Sequence, residues 1–206
     1  MYLSDPDIID AIARRDIVLD PPAADEDIQS VGIRMRLGRH LLLPLPGQRI
    51  DPCDPVGVEY HLYDLEEEGP FVLCPGSLLL GATLASVQTD PGLLAFLDTR
   101  STMARYGVQS HLASHTINGT WDHPLHAVLE IANIGPMEIV LSYGMPIGML
   151  SFARLTRPPS KERRGISFGI QDGPRFPGPH RAPTPRSPWA WWRDRWVSRL
   201  RRWLTR

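Results

Sequence analysis

Ile8, Ile9, Ile12 and Ala13 recur at the three- and four-residue spacing of one helix face. Ser4 stands before them as a cap, and Asp5 and Asp7 fall in the first turn, where the helix dipole favours acids. This pattern predicts a short helix that stops near Arg15. Ile17, Val18 and Leu19 then begin an extended segment closed by Pro21 and Pro22. From residue 31 the period falls to two: Ile33, Met35 and Leu37 alternate with Arg34 and Arg36. Apolar runs follow at 71–74, 77–84, 92–97, 127–132, 137–141 and 149–155, set off by Pro75-Gly76, Pro91 and the turn at 133–136. The runs at 127–132 and 137–141 are expected to pair across that turn. Many short strands with Gly/Pro turns predict a mainly β domain, a sandwich or barrel, over residues 1–157. Residues 101–106 break the pattern and predict a short helix after the strand ending at Leu97.

Two further segments follow. Residues 158–187 are rich in Pro, Arg, Gly and Ser and read as an arm or linker. In 188–206, Trp189, Trp192, Trp196, Leu200 and Trp203 are spaced three, four, four and three, with Arg on the remaining faces. Ser187 and Pro188 supply a cap and a first helical position. An amphipathic helix is predicted there.

Charge changes this picture more than composition does. The 206 residues are 42% apolar, an ordinary globular level, and the formal net charge is −1. That near-neutrality hides two unlike parts. Residues 175–206 hold nine Arg against the single acid Asp194, a net of +8, so the remainder carries −9. The basic tail therefore calls for an anionic partner. It reads either as an interfacial helix on an anionic membrane surface or as a helix packed on its own assembly or a protein partner. Nucleic acid fits it less well. The opening residues lack a basic and an apolar signal region, so a cytoplasmic protein is expected, peripheral to a membrane if the tail docks there. Cys53 and Cys74 stand alone in sequence, which argues against a disulfide framework and a Cys-rich zinc site.

The segment 98–130 carries the candidate chemistry. Arg100, Ser101, Thr102 and Arg105 put two guanidiniums and two hydroxyls at the start of the short predicted helix, groups that suit phosphate oxygens. Glu130 interrupts an apolar strand. It either faces a pocket, where burial would raise its pKa toward proton-shuttling range, or lies on a wet sheet face.

Several motifs in order resemble the bacterial dCTP deaminases of the dUTPase-like superfamily. They are Arg100-Ser101-Thr102-Met103-Ala104-Arg105-Tyr106-Gly107, then His115, Ile117-Asn118, Trp121 and Val128-Leu129-Glu130. Arg36-Leu37-Gly38, the 73–87 stretch, Pro146-Ile147-Gly148 and Gln171-Asp172-Gly173-Pro174 extend the likeness over roughly residues 1–174. The resemblance implies a dUTPase-like β-barrel or jelly roll and a homotrimer with active sites between subunits. It implies zinc-free deamination at C4 of the cytosine ring of dCTP, which arrives with Mg²⁺. Glu130 would be the general base, with Ser101 and Arg105 in the same catalytic group. Arg100, Thr102 and Arg105 would hold the triphosphate, and the backbone at Ser114 would orient water and amino group. His115, Asn118, Trp121 and Gln171 complete the implied substrate-binding set. The sequence is consistent with a zinc-free site, since the P-C-x-x-C of zinc deaminases is absent.

Some positions depart from the family. Asn118 replaces the usual Asp; it can still bond a sugar hydroxyl but cannot serve as a base, which argues against a dUTPase-type pyrophosphatase. Thr116 and Ser167 replace basic residues, and two extra residues lie between Trp121 and Glu130, so weaker triphosphate binding or a different phosphate count is expected. Together with the tail, these departures support an alternative: a non-catalytic or altered nucleotide-binding sensor or regulator at a membrane surface. His115, His123 and His126 read as turn and core histidines rather than a metal cluster.

Overall fold

The computed structural model describes residues 1–50, 58–112, 115–117, 123–160 and 173–174. Ser4 and Asp7 form a capping box at the head of α1 (Asp5–Ala13), the first predicted helix. Only Ile8 and Ala11 of α1 are buried; Ile9 remains 51% exposed. β1 (Ile17–Asp20) follows, then a single 3₁₀ turn at Asp25–Asp27 that leads into β2 (Ile28–Gln29). Next come β3 (Gly32–Arg36), β4 (His40–Pro44), β5 (Tyr60–Asp64), β6 (Phe71–Leu73), β7 (Leu78–Thr89) and β8 (Leu93–Thr99). The short helix α2 (Ser101–Arg105) is where the sequence put it. β9 (Val108–Gln109), β10 (Thr116–Ile117), β11 (Leu125–Asn133), β12 (Ile139–Leu141) and β13 (Pro146–Arg154) complete the order.

The strands form three sheets. One runs β5-β4-β7-β11-β9 with β1 also on β7; the second runs β10-β8-β13-β3-β2; the third is the pair β12-β6. The expectation of a barrel is overturned, because these sheets are open. Their outer strands include β9, β10 and β2, each only two residues long. Strands this short present few backbone groups through which a sheet could be closed on itself. Between the sheets lies one apolar core in which Ile8, Ile17, Leu37, Leu129, Ile131 and Phe152 are fully buried.

The expected hairpin of 127–132 with 137–141 is also corrected. β11 pairs with β7 and β9, whereas β12 crosses to β6. The cause is Asn133, which is fully buried. Its side-chain amide donates to the carbonyls of Leu73 (2.9 Å) and Met137 (2.7 Å), its Oδ1 accepts from Gly135 N–H at 3.0 Å, and its backbone carbonyl accepts from Gly76 N–H. One side chain thus satisfies the turn and hands the chain to β6 rather than back along β11.

The Arg36-Leu37-Gly38 motif has a separate structural explanation at each position. Arg36 grips the buried Asp27 with two hydrogen bonds, 2.8 and 3.0 Å, and donates to Gly144 carbonyl at 3.3 Å. Leu37 is fully buried, and Gly38 N–H donates to Ala82 carbonyl at 2.8 Å. A Cβ on residue 38 would sit 2.9 Å from that carbonyl oxygen, so the approach needs glycine. Arg36→Met leaves a carboxylate that is only 5% exposed with the long 3.5 Å contact to Arg34 as its remaining ion pair. A loss of about 3 kcal/mol is expected in denaturant melts, the low end for breaking a buried pair because Arg36 itself keeps some water. A loss under about 1 kcal/mol, the level of a surface pair, would show that Asp27 is not held by this contact.

Candidate active site

In β11 the residues Leu125, Ala127, Leu129 and Ile131 enter the core, so His126, Val128 and Glu130 stand on the opposite face. Glu130 is half-buried there. Leu80 of β7 lies opposite it on one side. On the other side Ala132 pairs with Gln109 of β9, and continuing that antiparallel register by two residues brings His111 across from Glu130. Leu112 N–H donates to the Glu130 carboxylate. Burial pushes this carboxyl above the usual carboxylate range, while the N–H groups of Leu112 and Glu130 itself and the nearby His111 ring pull it part of the way back.

His111 is held in its turn. Its Nε2 lies 3.2 Å from Asp98 Oδ1 on β8, and its Nδ1 is buried without a hydrogen-bond partner among the described residues. A row of rings continues from it. His111 lies 6.3 Å from His115, and His115 stacks on Phe96 at 5.7 Å with an interplanar angle of 21°. Tyr2 lies 5.5 Å from the far side of the row at Phe96.

The segment between β8 and His111 is a closed loop. Ser110, fully buried, donates from both N–H (2.8 Å) and hydroxyl (3.0 Å) to Thr99 Oγ1, tying its end to its start. Inside the loop Arg100 caps α2 and donates to Pro146 carbonyl at 3.4 Å, while Met103 anchors the helix in the core. The helix ends at Gly107, whose φ is +81° and whose carbonyl accepts from Ile134 N–H at 2.7 Å. A Cβ on residue 107 would lie 2.5 Å from the backbone of Gly135. This close pair fixes α2 and β9 against the end of β11.

The expected site residues are therefore distributed unequally. Glu130 gathers His111 and Leu112. Ser101, Thr102 and Arg105 are exposed on α2, with Arg100 half-buried at its head. Among the described residues no hydrogen bond or ion pair joins α2 to Glu130, and Arg105 has no acidic partner. His115 is exposed, its carbonyl accepting from Leu97 N–H at 2.7 Å. Thr116 lies in β10 opposite Phe96. His126 Nδ1 sits 2.8 Å from Thr83 carbonyl. Ser114, Asn118, Trp121, Ser167 and Gln171 lie outside the described residues, as does the 188–206 segment. Sequence reasoning missed His111 and the Leu112 N–H. The signal for them is the pairing of β9 with β11, which local patterns do not reveal.

Comparison with known proteins converges on one family. The model of the family described as dCTP deaminase-like matches residues 2–155. A dCTP deaminase of Halorubrum lacusprofundi is 31% identical over 182 residues, covering 84% of this chain and 89% of its own. One of Rhodospirillum rubrum is 33% identical over 172 residues, covering 78% and 86%. A dUMP-forming dCTP deaminase of Bifidobacterium longum is 30% identical over 185 residues, covering 88% and 94%. Among solved structures, the 2'-deoxycytidine 5'-triphosphate deaminase of Agrobacterium tumefaciens superposes with a TM-score of 0.57 at 17% identity, over 75% of this chain and 48% of that one. This likeness bears on the mainly β, dUTPase-like fold alone. With nearly the whole described body matched, and relatives of similar length along most of the chain, this protein belongs to the dCTP deaminase family.

Proposed function

We propose that this chain hydrolyses the amidine C–N bond of dCTP, giving dUTP and ammonia, with Glu130 as the base and no zinc. Family membership makes it a hydrolase of a dCTP-type nucleotide in pyrimidine metabolism. The observation that carries the assignment of the base is the half-buried Glu130 carboxyl, raised by burial and steadied by Leu112 N–H and His111. A carboxylate so placed takes a proton from water as the oxygen attacks C4. It passes that proton to the ring nitrogen, and a further proton leaves with the amino group as ammonia. A dry surrounding and a held water are what such a base needs when no metal activates the water.

The phosphates, brought in with Mg²⁺ as part of the substrate, are read as resting on Arg100, Thr102 and Arg105, with Ser101 beside the reacting water. Ser101, Thr102 and Arg105 are exposed and Arg105 has no acidic partner among the described residues, which supports that reading; Arg100 is half-buried at the head of the helix and donates to the Pro146 carbonyl. Their lack of contact with the Glu130 of the same copy favours a homotrimer whose sites lie between copies. Ser114, His115, Asn118, Trp121 and Gln171 complete the proposed substrate contacts.

The dUMP-forming relatives raise a second product. Asn118 has no carboxylate with which to activate water at the phosphate, so the product is expected to stop at dUTP. Chromatography of a reaction with dCTP and Mg²⁺ tests this: dUTP accumulates without pyrophosphate. Pyrophosphate released in step with dUMP would place the chain with the dUMP-forming relatives instead.

A further inference from the structure

A groove of about 1040 Å³ is lined by residues of α1, β1, β2 and the turn before β2, none of which has a role in the proposed chemistry. Ile12 and Ile28 lie along it, half-buried, and Ile9 and Val18 stand on its walls, 51% and 39% exposed. Its volume is at the upper end of pockets that hold a drug-sized ligand, about 300–1,000 Å³, so it has room for more than one large aromatic ring. Asp5 and Asp25 line it, with Arg15 as the one cation.

The charge around it is lopsided. Residues 1–30 hold eight acids against Arg14 and Arg15, a net of −6. Asp16 pairs with Arg14, and Asp27 and Glu26 with Arg36. Among the described residues Asp5, Asp10, Asp20 and Asp25 have no opposite charge beside them. An occupant of this groove must therefore be apolar on one face and cationic around it.

The chain carries such a segment. Residues 188–206 hold five of the six tryptophans and six Arg against Asp194, and the stripe of Trp189, Trp192, Trp196 and Trp203 is apolar at helical spacing. Chain geometry brings it near. β13 leaves its sheet beside the N-terminus: Tyr2 bridges to Ala153, Leu3 N–H donates to Phe152 carbonyl at 2.9 Å, and Arg154 N–H to Met1 carbonyl at 3.0 Å. Two residues beyond Leu3, α1 begins and forms one wall of the groove. The thirty-odd residues from 155 to 187 span roughly 30 Å as a coil and far more when extended, so reach is no obstacle.

We infer that the groove between α1, β1 and β2 is the docking site of the chain's own Trp/Arg segment, 188–206. Indole rings occupy the apolar floor, and the arginines face the unpaired acids of residues 1–30. The tail is thereby stowed on the body of the protein rather than spent on a lipid surface.

Tryptophan fluorescence of the full-length protein tests this, since five of six tryptophans report on the tail. The native protein is expected to show blue-shifted emission and weak quenching by acrylamide. The double substitution Ile9→Lys with Val18→Lys, at exposed positions that leave the core alone, shifts the emission red and raises quenching. Asp25→Lys, on the rim, moves both readouts the same way and serves if the double variant melts early. Ile9→Leu with Val18→Ile behaves as the native protein. Circular dichroism and light scattering confirm that fold and assembly are unchanged, so the result does not depend on deaminase activity. Quenching equal in native and groove-substituted proteins overturns the inference. So does dissociation of the assembly, which would make the groove an interface between copies. Vesicles of phosphatidylcholine with phosphatidylserine separate the other source of anionic contact. A larger emission change in the groove variant than in the native protein fits a released tail, whereas equal changes in both mean that the tail is a membrane segment and overturn the inference.

Discussion

Glu130→Gln is expected to lower the rate of dCTP deamination by about 10²–10⁴-fold, the usual worth of a positioned base, while dCTP still binds with near-native affinity. The amide keeps the size and the Leu112 contact but cannot take a proton from water. Two pH signatures accompany the change. Because burial raises the carboxyl of the free protein, the base becomes ionised only above the ordinary carboxylate range, so the acid limb of kcat/KM lies higher than for a free glutamate. The stability effect has the opposite sense. A carboxyl whose folded pKa is raised contributes stability that is fully present below its unfolded pKa and lost as pH rises through the folded one. Gln mimics the neutral form at every pH. Glu130→Gln should therefore melt at the wild-type temperature in acid and above it near neutrality. Titration calorimetry with dCTP, rate profiles and thermal melts check the three parts. Binding lost together with turnover would make Glu130 a structural residue.

Gly107→Ala is expected to cost about 3 kcal/mol and to remove most activity with it. Two costs add at this position. The φ of +81° is left-handed and penalises any side chain by about 1–2 kcal/mol. The new Cβ also meets the Gly135 backbone at 2.5 Å, which neither strand end can avoid without moving. Gly144 provides the control. Its φ is +71°, but a Cβ there meets nothing within 4 Å, so Gly144→Ala carries only the first cost and leaves activity alone. Denaturant melts of the two variants side by side decide the matter. Equal losses would mean that the Gly107–Gly135 contact does not fix α2 against β11.

These two residues illustrate what a sequence discloses. α1 was legible because its cap and helical spacing are local signals, α2 because helical residues interrupt the strand pattern there, and the strands because alternation and Gly/Pro turns are local too. Pairing was not. β12 joins β6, more than sixty residues back, through a buried Asn133 whose two donated bonds leave no trace in hydrophobic period. The open sheets are a property of how far edge strands extend, which hydrophobic period alone does not fix. At the site, Glu130 was visible as a carboxylate out of place in an apolar strand. His111 was not, because its relevance rests on strand register and on Asp98 across the sheet. Gly107 stood in a recognisable motif, but its reason, contact with Gly135, is a long-range one.

The most direct test of the central reading is ammonia release from dCTP by the purified protein, with Mg²⁺ present and a zinc chelator added. The account predicts ammonia and dUTP in equal amounts, at a rate the chelator does not change. Bound but unaltered dCTP, from protein shown to be folded, would contradict it and leave nucleotide binding without catalysis as the protein's role.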